Sequence, residues 1–141
     1  KIFSCVMTAI FAILYLSCGD LKPTGSSGAS RTPDNVQIIF TAHCAKSGCH
    51  AGTSPEHNQN LDSLNSYSYI VNISSVEEPT LKRIKPGDPS NSYLLQKVKG
   101  TITNGTDRMP FDQMAGGPNG YLLQAEIDTI QSWIQNGAPA K

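Results

Sequence analysis

Hydrophobic positions are spread unevenly along this chain. Lys1 is followed by an uncharged, mostly apolar run from Ile2 to Leu16 that shows no polar face. Farther on the apolar residues recur with helical spacing: Val36, Ile39 and Phe40, with His43 on the same stripe; then Tyr93, Leu94, Leu95 and Val98; then Leu123, Ile127, Ile130 and Ile134, flanked by Trp133. A shorter patch, Tyr67, Tyr69, Ile70 and Val71, stands alone between polar stretches. No segment sustains a period-two alternation. The pattern therefore predicts an all-α domain of about three to four helices joined by long irregular loops.

Boundary residues sharpen the reading. Thr32, Pro33 and Asp34 read as N-cap, first-turn proline and first-turn acid of the first helix, which delivers Cys44. Pro86-Gly87-Asp88-Pro89-Ser90 is a turn that hands over to the second strong stripe, with Asp88 or Ser90 as its cap and Gly100 as its stop. Gly137 and Pro139 end the last helix. From 51 to 80 and from 101 to 120 the chain is rich in Gly, Ser, Asn and Pro and predicts loop, with one short helix in the first stretch.

The apolar run at the start is too short for a membrane span, which needs about 20 residues, and it leads into Ser17-Cys18-Gly19-Asp20, a small-residue neighbourhood. It predicts a signal peptide over 1–17. Leu16-Ser17-Cys18 resembles a bacterial lipoprotein signal, which implies a lipidated Cys18 and a periplasmic or cell-surface protein held to a bacterial membrane by its acyl chains. The alternative is ordinary cleavage nearby. Residues 18–33, rich in Gly, Ser and Pro, predict a flexible tether, and 34–141 the folded domain. Lys plus Arg and Asp plus Glu are both 11, a balance that gives no reason to expect nucleic acid as a partner.

The chemistry is concentrated in His43-Cys44-Ala45-Lys46-Ser47-Gly48-Cys49-His50. Covalent haem attachment is usually written C-x-x-C-H: two thiols add across the two vinyl groups and the adjacent imidazole sits under the iron. Here four residues separate the cysteines, and Gly48 can take the backbone shapes that absorb two extra residues. Cys44 and Cys49 then hold the haem and His50 binds its iron. Three other readings use the same residues. Cys44 and Cys49 could form a disulfide in an exported protein. His43, Cys44, Cys49, His50 and His57 could build a zinc site. One cysteine with a histidine base could act as a nucleophile.

Four separated blocks occur in an order that resembles small bacterial c-type cytochrome domains, including those with the longer cysteine spacing. They are Ile39-Phe40-x-x-x-Cys44-x-x-Ser47-Gly48-Cys49-His50, Ile84-x-Pro86-Gly87-Asp88-Pro89-x-x-Ser92-Tyr93-Leu94, Met109-Pro110, and Glu126-Ile127-x-x-Ile130-x-x-Trp133-Ile134-x-x-Gly137-Ala138. The resemblance implies a small cytochrome c-like fold around one haem c. His50 is then the proximal iron ligand and Met109 the distal one, with Met114, His43 and His57 as other candidates for that position. Phe40, Tyr93, Leu94 and Pro110 would line the haem pocket.

A closed His/Met iron with raised potential implies one-electron transfer between redox protein partners rather than catalysis. Two functions of other classes stay open: a haem enzyme of peroxidase type with an open iron position, and a non-haem structural or binding lipoprotein with a Cys44–Cys49 disulfide or a zinc site. Lys82, Arg83, Lys85, Lys97, Lys99 and Arg108 are candidates for a cationic docking rim, or for an ordinary solvated face.

Overall fold

The computed structural model describes residues 30–111 and 117–141. The segment expected to be a signal peptide, the lipidation candidate Cys18, the expected tether up to residue 29 and Met114 lie outside the described residues. Within them the regular structure is helical, with no strand. Helix α1 spans Asp34–His43, α2 Ser66–Ile70, α3 Tyr93–Lys99 and α4 Gln124–Gln135. Single turns of 3₁₀ helix at Glu56–Asn58, Pro89–Asn91 and Pro118–Gly120 punctuate the loops. The expectation of an all-α chain with long loops agrees with this at the level of helix content. No described helix is long and apolar enough to cross a membrane.

Helix α4 packs against both α1 and α3. Its stripe of Ile127, Ile130, Trp133 and Ile134 is buried against Val36, Ile39 and Phe40 of α1 and against Leu94, Leu95 and Val98 of α3. Each fully buried aliphatic or aromatic side chain of this kind contributes about 1.5–3 kcal/mol. Ile70 of α2 and the loop residues Leu61, Ile84, Leu122 and Ala138 complete the cluster. The chain end is tied down after Gly137, whose φ of +90° turns the backbone out of the helix. Trp133 Nε1 then donates to Pro139 O at 3.0 Å and the Tyr67 hydroxyl to Ala138 O at 3.1 Å.

Two predicted helix boundaries need correction. Thr32 does not cap α1: Pro33 stands at the cap position and makes no side-chain hydrogen bond, while the Thr32 hydroxyl is buried 2.7 Å from Ser66 Oγ. A polar contact 34 residues away outcompetes the local cap. Leu123 is not part of the α4 stripe either; it occupies the cap position and is 47% exposed. Glu126 Oε2 accepts the Leu123 N–H at 2.9 Å, so an orphan donor at the helix start is still satisfied.

The turn before α3 follows its sequence signals only in part: Asp88 caps the separate Pro89–Asn91 3₁₀ turn by accepting from the Asn91 N–H at 3.2 Å, while Ser92, and neither Asp88 nor Ser90, stands at the cap position of α3. Gly100 ends α3 in the left-handed conformation at φ +72°. Lys85 first, then Asn91, hold the Asp88 carboxyl down to about 2 by hydrogen bonding to its charged form. A folded pKa below the unfolded one stabilises the fold above about pH 4, and the contribution is lost as pH falls toward 2. Carboxyl-carbon NMR titration should therefore find Asp88 ionised well below the ordinary aspartate range. A midpoint near 4 would show that this turn does not hold the carboxylate.

Candidate functional site

The segment that carries the chemistry is wound onto the end of α1. Cys44 and Ala45 both donate their N–H to Phe40 O at 2.8 Å, which closes the helix. The chain then folds back on itself: Lys46 N–H and His50 N–H reach Cys44 O at 2.8 and 3.3 Å, and Cys49 N–H reaches Lys46 O at 3.0 Å. Gly48 sits at φ +78° in this loop, the backbone freedom that the extra residues between the cysteines require. Glu56 N–H to Cys49 O at 2.7 Å and Leu61 N–H to His50 O at 2.8 Å fasten the far side. Both thiols are free.

Met109 arrives from the other end of the domain. Its N–H donates to Lys97 O at 3.1 Å, and Arg108 Nε donates to Val98 O at 3.1 Å, so the last turn of α3 holds this loop at two points. The Arg108 guanidinium also stacks 4.0 Å from the centre of the Tyr121 ring. Pro110 is buried and Phe111 is 62% exposed.

These two segments border one cleft with two adjoining lobes. The inner lobe, about 590 Å³ including the open space at its mouth, is walled by Phe40, Leu61, Tyr93, Leu94 and Val98. The outer lobe, about 1060 Å³ with its open mouth, is bordered by Cys49, Gly48, Pro110 and Phe111. Cys44, His50, His57 and Met109 line both. Apart from Met114, which lies outside the described residues, the residues that the sequence singled out for attachment, ligation and pocket lining border this cleft.

Electrostatics differ between the donors. Burial lowers the His50 pKa, against weaker upward effects from the backbone of Gln59 and Glu56, so the imidazole is neutral at pH 7 and keeps a lone pair. Its Nδ1 is buried without a hydrogen-bond partner among the described residues. Burial, then Glu126 and Cys49, push the Cys44 thiol up to about 12. A thiol that stays protonated at neutral pH is a poor nucleophile, which weighs against Cys44 as a reactive cysteine. No group of three His, Cys, Asp or Glu side chains converges among the described residues.

The spare histidines are engaged elsewhere to different degrees. His43 Nε2 lies 2.9 Å from Glu126 Oε1, and Glu126 also caps α4, so this contact ties the end of α1 to the start of α4 beside Cys44. His57 Nε2 is 3.6 Å from Glu77 Oε1 and its ring remains 44% exposed. The cationic rim needs correction: Lys85 and Lys99 are exposed, but Arg83 and Lys97 are only 5% and 6% exposed and line the inner lobe. Glu77 faces both Lys97, at 2.9 Å, and His57. The sequence offered no signal for Glu77, because its partner Lys97 is 20 residues away and no periodicity links them. Neither family models, nor curated proteins, nor solved structures show a match to this chain.

Proposed function

We propose that this chain is an exported one-electron carrier that holds a single haem c, with Cys44 and Cys49 as the attachment thiols, His50 as proximal iron ligand and Met109 as distal ligand. The observation that carries the reading is convergence. Two thiols, a neutral imidazole and a thioether, from segments about 60 residues apart, border one largely apolar cleft. The donor chemistry fits: an imidazole with its lone pair free and a soft thioether are the pair that favours a high-potential, closed iron. The bound haem supplies a reversible one-electron couple. Phe40, Tyr93, Leu94 and Pro110 keep water from the ligand set, which lowers the dielectric around the couple. Lipidation of Cys18 would anchor the domain at a bacterial membrane, in the periplasm or at the cell surface, where its redox partners are other proteins. A carrier is preferred to a peroxidase-type enzyme because Met109 supplies a ligand for the position that an enzyme would keep open.

The test is the alkaline pyridine haemochrome of full chain matured in a host with c-type attachment machinery. A c-type spectrum whose haem survives acid extraction is expected, together with no alkylatable thiol at Cys44 or Cys49. Cys44→Ala or Cys49→Ala should move the haemochrome toward that of a single thioether bond, and the double variant should release its haem to acid. Haem that extracts freely from the parent sinks the proposal; metal analysis and thiol titration then decide between zinc and a disulfide.

A further inference from the structure

The inner lobe is apolar over most of its wall, yet one end carries more positive than negative charge. Arg83 and Lys97 line it with Glu77 as the acidic residue beside them, so the three formal charges leave an excess of one positive. Arg83 satisfies its guanidinium on backbone: Nη1 donates to Asn58 O at 3.1 Å and Tyr69 O at 2.8 Å, Nη2 to His57 O at 2.6 Å. No acidic side chain pairs with it among the described residues. Lys97 is different. Its ammonium is buried and lies 2.9 Å from Glu77 Oε2, but makes no directed hydrogen bond among the described residues. The ring of Tyr93 stands 5.8 Å away and adds only a weak attraction. A buried ammonium has three donors to satisfy, and leaving them unmade in an apolar lobe is costly.

We infer that Lys97 is the carboxylate-receiving residue of the cleft: its ammonium takes a carboxylate of the bound ligand, a haem propionate, and Glu77 is the counter-ion that holds it in place until then. The inference rests on the haem reading above. A carboxylate at this end balances the excess charge and accepts the donors that Glu77 leaves unused. His57, on the other side of Glu77, keeps that carboxylate shared, so the ammonium can turn toward the ligand without stranding Glu77. Arg83 stays committed to its three carbonyls and serves as fixed background charge. Lys97 thus acts on the potential through the propionate and is not an iron ligand.

Full-length haem-bearing protein with K97Q, K97R or E77Q distinguishes this from a purely structural ion pair. The Lys97 carbonyl that holds Met109 survives every side-chain replacement, so an unchanged methionine-to-iron charge-transfer band is the control. K97Q should shift the propionate bending band in the ferrous resonance Raman spectrum and lower the midpoint potential; K97R should restore both. E77Q should raise the potential and move the same band toward stronger hydrogen bonding. A band at the parent position in K97Q overturns the inference, because it means that the ammonium serves Glu77 alone, while the haem reading stands untouched. If K97Q does not fold, an unmoved band in E77Q overturns it equally. A parent protein without covalent haem overturns both, and the haemochrome spectrum reports that separately.

Discussion

The M109A variant is expected to keep its haem and lose its high potential. On the proposed reading attachment depends on Cys44 and Cys49, which lie at the end of α1 and share no backbone hydrogen bond with the α3 turn that holds Met109 among the described residues. Deleting the thioether removes a ligand that favours ferrous iron, so the midpoint should fall by on the order of 0.1 V or more, within the ~0.8 V range that axial ligand sets span. The charge-transfer band from methionine to ferric iron should vanish. The vacated position should bind cyanide or carbon monoxide that the parent excludes. Electron exchange with a small redox partner should slow, because an iron that gains and loses water on each cycle reorganises more than a closed one. A variant with the parent's band and potential would show that Met109 is not the ligand. His57, which borders both lobes and is half exposed, would then be the next residue to replace, ahead of His43, whose Nε2 is already engaged by Glu126. If M109A instead gained steady peroxide turnover well above that of other opened haems, the carrier reading would give way to the enzyme.

The parts of this molecule that could be read from its residues are those governed by short-range rules. Helical spacing placed α1, α3 and α4 because their buried stripes repeat within one element, and Gly100 and Gly137 marked stops because a left-handed residue is needed there and glycine adopts it freely. The Cys44 to His50 block stands out in the sequence because haem attachment, its proposed role, would demand residues close together in the chain. Long-range contacts were not legible in the same way. Thr32 looks like a cap, and its hydroxyl goes to Ser66; Leu123 looks like core, and the chain uses it as the residue before α4. Charge misled most. Arg83 and Lys97 read as surface cations, since such residues are rarely buried, and what buries them comes from elsewhere in the chain: the carbonyls of His57, Asn58 and Tyr69 for one, the carboxylate of Glu77 for the other. No spacing rule connects these positions, and the polar end of the cleft became visible only once the loops were folded together.

Replacing Arg83 by Met should cost about 3 kcal/mol of stability, although Arg83 touches neither the attachment thiols nor Met109 by hydrogen bond. His57 and Asn58 both sit at φ +51°, a left-handed pair of non-glycine residues whose conformation is held by the surrounding structure rather than by local preference. The Arg83 guanidinium is what reaches them, bonding both of their carbonyls and that of Tyr69 from a side chain that is almost wholly buried. Methionine preserves the packing of the stem and offers no donor, so three carbonyls lose their partner. A buried acceptor left unmade costs roughly 1–3 kcal/mol; water can replace the donor in part at the exposed His57 and Asn58, and removing the desolvated cation returns a further part. Lysine in the same place can serve at most part of a three-carbonyl fork spread over the 56–58 turn and α2, so R83K should recover less than half of the loss. For a domain near 100 residues the R83M effect is a fall of roughly 10–20 °C in Tm. Denaturant unfolding of the haem-bearing protein reads it, with limited proteolysis to show whether cleavage appears first around residues 56–60. Because this loop carries His57 and fastens Cys49 and His50 through Glu56 and Leu61, its loosening should also broaden the environment of the proximal ligand before the core melts. An R83M protein within about 0.5 kcal/mol of the parent would mean that the loop holds its left-handed pair without the guanidinium. The polar end of the cleft would then owe its shape to Lys97 and Glu77 alone.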